Sequence, residues 1–270
     1  MWLNDLYHSL NPVALTLGPL TIRWYGLAYL FGFIFCGIIM YRTGRRWRLN
    51  LTADDVVTLM TGIACGVIIG GRLGYVLFYG KGYYLQHPLS IFMLNEGGMS
   101  FHGGMIGAIL GAYISHAGIS TSFGTLCDLV AIGAPVGLFL GRCANFINGE
   151  LWGKETALPW GVMFDDAGGG AVFRHPTQLY EALLEGLLLF CVQYVLSLKR
   201  PPRYQGTFVG VFMLLYGCFR FLIEFVRLPD AHMGYLAWGW LTMGQVLSLP
   251  LILAGVVMLV IANKRKVPQH

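Results

Sequence analysis

The residues best suited to chemistry in this 270-residue chain stand at the ends of its apolar runs. "GRCANFINGELWG", residues 141–153, follows directly on "DLVAIGAPVGLFL" and places Arg142, Asn145, Asn148 and Glu150 within nine residues. A guanidinium offers a planar fork of donors that meets a phosphate at two points. The asparagines add neutral donors, and Glu150 can orient them or accept a hydroxyl. Gly149 and Gly153 permit a tight turn with backbone close to a ligand. If helix continues past Arg142, Arg142 and Asn145 share a face at a spacing of three. The alternative is structural, with the same side chains capping loop backbone.

Three further stretches carry polar groups in apolar surroundings. In "EGGMSFHGGMIGA", residues 96–108, His102 is flanked by glycines that are expected to leave space around the imidazole. A neutral histidine there suits a general base; a packed histidine bonded to a carbonyl is the alternative. In "YGCFRFLIEFVR", Tyr216, Arg220, Glu224 and Arg227 are spaced to form one stripe on a helix. Glu224 between two arginines would hold both and leave an excess positive charge, which suits an anionic headgroup; a self-neutralising ion triad is the alternative. In "TIRWYGLAYL", Tyr25 and Tyr29 share a helix face, fitting either a site or an interfacial aromatic belt. "RHPTQLYEALLEG" reads mainly as helix initiation, with Pro176 in the first turn. There is no HExxH or paired-histidine spacing, so no metal is expected.

The elements that must position these groups are membrane helices. The chain is 56% hydrophobic and only 11% charged, with mean hydropathy +0.62, whereas a soluble domain carries about 25% charged residues. Seven apolar runs, roughly 22–41, 56–79, 100–116, 124–141, 177–198, 206–226 and 242–262, approach the length of about 20 residues that a span requires. Gly62, Gly66, Gly70 and Gly71 suit close helix–helix contact in lipid. The basic residues divide by side. Arg42, Arg45, Arg46, Arg48, Lys199, Arg200, Arg203, Lys264, Arg265 and Lys266 flank one face; Lys81, Lys154, Arg174 and Arg227 flank the other. The positive-inside rule then puts the N-terminus outside and the C-terminus in the cytoplasm.

The expected fold is an all-α polytopic membrane protein with about seven transmembrane helices, forming one membrane domain over residues 1–270. Residues 142–176 form a small outer cap between helices four and five. The six cysteines lie in or beside apolar runs without a CxxC pair, and read as core residues rather than disulfides. The net charge of +5 sits in topology-determining clusters, which disfavours nucleic acid. Polar groups near the outer ends of several helices predict an outward-facing cavity with cationic walls, open to a phospholipid headgroup.

Taken in order, "GGRLGYVLFY", "GGMSFHGGMIGA", "GRCANFINGELWG", "RHPTQLYEALLEG" and "YGCFRFLIEFVRLPD" resemble the bacterial prolipoprotein diacylglyceryl transferases, from about Trp24 to about Gly255. The resemblance implies a multi-pass inner-membrane enzyme with its N-terminus and active site facing the periplasm. It implies transfer of an sn-1,2-diacylglyceryl group from phosphatidylglycerol to the lipobox cysteine thiol of a preprolipoprotein signal peptide. A thioether forms and glycerol 1-phosphate leaves, with no cofactor or metal. The catalytic residues it implies are His102, Arg142, Arg220 and Tyr216, with His102 as base, assisted by Tyr216. Tyr25, Asn145, Asn148, Glu150, Gly153, Glu224 and Arg227 would bind substrate. A lipid flippase would need a polar path through both leaflets, and an intramembrane hydrolase a nucleophile–base pair such as GxSxG; the sequence offers neither.

Overall fold

The computed structural model describes residues 2–18, 20–80, 82–93, 97–199, 202–229 and 234–270; Lys81, Glu96, Arg200 and Asp230 lie outside the described residues. The chain is a mainly helical, multi-pass membrane protein. Among the described residues, five helical stretches are long and apolar enough to cross a bilayer: α2 (Trp24–Trp47), α3 (Ala53–Tyr79), α6 (Phe123–Ile147), the run Thr177–Ser197 and α10 (Met243–Arg265). The third and sixth expected spans are the shorter helices α5 (Phe101–His116) and α9 (Thr207–Ile223). Outside these lie α1 (Trp2–Ser9), the hairpin β1 (Val13–Leu17) with β2 (Leu20–Arg23), α4 (Tyr83–Gln86), and the two-residue strands β3 (Val162–Met163) and β4 (Phe173–Arg174). The run Thr177–Ser197 is built of α7 (Thr177–Glu181), a π-helical segment (Ala182–Leu188) and α8 (Leu189–Ser197).

The chain divides into two compact units, Met1–Thr43 with Cys127–Gln269, and Gly44–Leu126 with His270. The smaller unit is built on the α3–α5 pair. Ser100 caps α5 by accepting from the Gly103 amide, and a Thr52–Asp55 capping box starts α3. A Cβ on Gly66, Gly70, Gly103 or Gly107 would run into backbone of the facing helix. Small residues let backbones touch where lipid provides no hydrophobic drive for association. Gly103 and Gly107 after His102 therefore serve helix packing, and His102 itself stands exposed. Arg72, 4% exposed, donates to the carbonyls of Ile91 at 2.8 Å and Met93 at 3.1 Å, and also to Ser90, Gly97 and Gly98. It thus holds the chain that follows α3 in place by filling backbone acceptors that helices would otherwise satisfy.

The larger unit is held at both ends of its helices. At one end the buried Asp128 of α6 accepts from the amides of Gly206 (2.8 Å) and Val209 (2.9 Å) at the start of α9, and from Gln269 Nε2 (2.7 Å). A carboxylate at a helix N-terminus meets unpaired amides and the positive end of the helix dipole. At the other end, the last turn of α6 stands with the start of α7, the end of α9 and the start of α10. Here α6 runs on to Ile147, six residues beyond the apolar stretch that marks it in the sequence, and Gly149 at φ +68° turns the chain out of it. Beyond the turn, α1 packs on the 148–176 segment around Leu3, Tyr7, Phe146, Val162 and Phe164.

Candidate functional site

The π-helical segment decides where α7 presents its side chains. Gly186 lies against the backbone and Cβ of Phe139 on α6, a spacing that admits no Cβ. This brings the fully buried Glu181 and Glu185 against α6 and α9. Carboxylates in such surroundings require partners. Glu181 receives three. Its Oε1 accepts from Arg220 Nη1 at 2.6 Å and Arg227 Nη1 at 3.0 Å, and its Oε2 lies 3.0 Å from Arg142 Nη1. Glu185 Oε2 accepts from Arg142 Nη2 at 3.3 Å. Glu224 pairs with Arg220, lies 3.7 Å from Arg227 Nε, and accepts from the Thr242 hydroxyl at 2.6 Å. Gly244 makes room for that carboxylate, since a Cβ there would sit inside it.

Three guanidiniums from two helices and the residues after α9 thus converge on one buried carboxylate. They differ in how firmly they are held. Arg220 and Arg227 each make a directed bond to Glu181, whereas the one directed bond from Arg142 to these carboxylates is the 3.3 Å contact to Glu185. Arg142 and Arg220 keep 17% and 18% of their side chains accessible. The excess positive charge expected of the arginine stripe is corrected: three carboxylates balance three guanidiniums. Tyr216 stacks on Phe212, ring centres 5.8 Å apart, close enough to feel Glu185, Arg142 and Arg220.

A second polar cluster adjoins the first along α6. Glu150 Oε1 accepts from Asn145 Nδ2 at 2.9 Å and Asn148 Nδ2 at 3.0 Å. Gln178 Nε2 donates to the Glu150 carbonyl at 2.6 Å, and the Thr177 hydroxyl to the Leu151 carbonyl at 2.9 Å, so the start of α7 fixes this turn. Tyr25, bonded to Tyr29 through hydroxyls 3.1 Å apart, feels the charges of both Glu150 and Arg142. Gly153 pairs with Arg227 as an isolated β-bridge, where a Cβ would strike Thr177 and His175. Its requirement for glycine comes from loop packing. His175 beside it is held below the ordinary imidazole range by burial and then by Lys154.

Of the residues singled out in the sequence, Arg142, Asn145, Asn148, Glu150, Gly153, Tyr25, Tyr216, Arg220, Glu224 and Arg227 all belong to the larger unit. His102 belongs to the smaller one, exposed in the first turn of α5 with its ring edge-on to Phe101. Glu181 and Glu185, with Thr177 and Gln178, lie in a stretch that the sequence reads mainly as helix initiation, whereas the structure makes them part of the network and its turn; Gly244 was not singled out. The signal for the first two was present: two carboxylates four residues apart inside an apolar run of spanning length, where ionisable groups are costly and functional by default.

Fold and cluster together define a multi-pass membrane protein with a buried arginine–glutamate network opening toward an amide-rich turn. The family model described as prolipoprotein diacylglyceryl transferase matches residues 12–261. The phosphatidylglycerol–prolipoprotein diacylglyceryl transferase of Nitratidesulfovibrio vulgaris is 51% identical over 253 residues, 92% of this chain and 93% of that protein. Those of Geobacter sulfurreducens and Pseudomonas aeruginosa are 51% and 47% identical, each over 97% of this chain and 98% and 97% of their own lengths. The chain belongs to the prolipoprotein diacylglyceryl transferase family and is a transferase.

Proposed function

We propose that this chain transfers the sn-1,2-diacylglyceryl group of phosphatidylglycerol to the lipobox cysteine thiol of a preprolipoprotein, the first step of lipoprotein maturation. It would act in the bacterial inner membrane, with its site toward the periplasm. The observation that carries the reading is the full-length family match, with relatives whose names state both substrates. The geometry supports it at the point of greatest chemical demand. A phosphodiester brings a negative charge into apolar surroundings, and cleavage of its C–O bond adds a second.

Arg142 and Arg220, the two partly accessible guanidiniums, take the phosphate and stabilise the charge growing on the leaving oxygen. Arg227 and Glu224 hold Arg220 in register. Glu150, with its two asparagine donors, and Tyr25 orient the glycerol part of the headgroup. The thiol must lose its proton before it attacks the glyceryl carbon. His102 is the base in this reading, with Tyr216 as its assistant. Sulfur–carbon bond formation expels glycerol 1-phosphate with the electron pair of the broken C–O bond. No cofactor or metal takes part.

The test is mass spectrometry of a lipobox peptide incubated with purified protein and phosphatidylglycerol. The expected result is a gain of one diacylglyceryl unit in wild type and none with Arg142→Ala or His102→Ala. Both variants should still insert and fold. Wild-type turnover in either variant removes that residue from its role, and lipid flux without covalent change in the peptide overturns the reading.

A further inference from the structure

The buried cluster poses a charge problem. Arg142, Arg220 and Arg227 face Glu181, Glu185 and Glu224, so the six side chains together carry no net charge. A phosphodiester that enters brings an uncompensated negative charge into apolar surroundings, where such charge is costly and groups neutralise instead. One carboxylate must therefore yield.

The geometry separates the three. Glu181 is held by three guanidiniums, and Glu224 by two and by the Thr242 hydroxyl. Glu185 is fully buried, its one directed bond is the 3.3 Å contact from Arg142, and its Oε1 is buried without a hydrogen-bond partner among the described residues. The charged and titratable groups facing it are Arg142 from α6, Arg220 and Tyr216 from α9, and Glu181 from the preceding turn. A buried acceptor without a donor is a costly state. A proton on that carboxyl turns it into a donor and frees Arg142 Nη2 for another anion.

Resting on the headgroup reading of this cluster, we propose that Glu185 binds a proton as the lipid phosphate enters, so that Arg142 exchanges a carboxylate for a phosphate. The protonated carboxyl then donates toward the phosphate. During transfer the S–H proton goes to the base, the C–S bond forms, and the C–O electron pair goes to the phosphate oxygen, while Glu185 keeps its proton. When the phosphate monoester leaves, Glu185 releases that proton to water. The cycle nets one proton released per thioether, as conversion of a thiol and a phosphodiester monoanion to a thioether and a phosphate dianion requires.

The test titrates the detergent-solubilised protein with short-chain phosphatidylglycerol in weak buffer containing a pH indicator. The expected result is uptake approaching one proton per protein, none with phosphatidylcholine, and growth of a carboxylic-acid infrared band on binding. Glu185→Gln is neutral from the start. It should take up no proton, bind phosphatidylglycerol with a KM several-fold lower, and turn over more slowly because the dianionic product is retained. A merely structural role would raise KM instead. Proton-free binding by wild type, wild-type uptake by Glu185→Gln, or weaker lipid binding by that variant overturns the proposal. The wild-type measurement decides the matter even if the variant fails to fold. Transfer to a lipobox peptide is followed on the same wild-type sample. Glu185-dependent uptake without transfer refutes the reaction and leaves the inference, whereas transfer without uptake does the reverse.

Discussion

Glu181 shows how a single residue can set the state of a site. Three guanidiniums within reach of one another repel unless an anion sits among them, and in the protein that anion is a side chain with no exposed surface. Removing one partner of a buried ion pair leaves the others uncompensated and costs about 3–5 kcal/mol. Glu181→Ala should therefore lower thermal stability in detergent markedly and abolish transfer, whereas Glu224→Gln, which keeps the Thr242 bond, should cost less. Equal melting temperatures for Glu181→Ala and wild type would refute the hub role. The arginines were legible in the sequence because a guanidinium in an apolar run is conspicuous. Their counter-ions were not, because "TQLYEALLE" also fits a helix start, and only the packing of α7 and the π-helical segment on α6 and α9 turns the two glutamates toward the charges. Gly244 was invisible for a related reason: nothing in its neighbourhood in the sequence says that a carboxylate from α9 will occupy the space of its missing side chain.

At the scale of elements, hydropathy located the five helices that are long and apolar enough to span among the described residues, but misplaced the ends that matter. The apolar run before Arg142 stops at the glycine, yet α6 continues for two more turns because its polar residues find partners on α7 and in the turn at Gly149. The π-helical segment had no sequence signature at all; within it Gly186 seats on Phe139. The start of the chain docks as α1. Tyr7 donates to Asp166 at 2.7 Å, and burial, then that bond, keep its phenol neutral well above the usual range. His8 Nε2 meets Asp165 at 2.9 Å; the pair raises the imidazole above its ordinary range and lowers the carboxylate below its own. The sign follows. The His8 contribution is complete below its unfolded value near 6.5 and is lost as pH rises through the raised one. The Asp165 contribution is complete above its unfolded value near 3.8 and is lost as pH falls through the lowered one. Docking of α1 should therefore be strongest in mildly acidic solution and loosen slightly in alkali, the pair being exposed and screened. Hydrogen exchange of residues 2–9, corrected for intrinsic rates, should follow that course, and Asp165→Asn should flatten it. The same pH course in Asp165→Asn would assign the dependence to another group.

For the molecule as a whole, the basic clusters between apolar runs carry an expectation of the direction in which the chain crosses the membrane, because charge between spans is read against the bilayer and not against tertiary contacts. The structure adds physical content within the larger unit. One end of its helices gathers Arg142, Glu181, Arg220, Glu224 and Thr242; the other gathers Asp128, the start of α9 and Gln269. The basic residues that follow α8 and end α10, Lys199, Arg203, Lys264, Arg265 and Lys266, stand at the Asp128 end. If the chain acts as proposed on a thiol delivered outside, its headgroup site lies at the opposite end, beside the 148–176 segment. Both conditions are met by one orientation only, with Asp128 toward the cytoplasm. In a variant whose six native cysteines are replaced, Glu155→Cys and Lys266→Cys occupy exposed positions at opposite ends. A membrane-impermeant maleimide applied to intact spheroplasts should label the cysteine at 155 at once and the one at 266 only after permeabilisation. The reverse pattern would put the arginine–glutamate network on the cytoplasmic side. The charge rule and the proposed site would then fail together, since each demands the same face of the membrane.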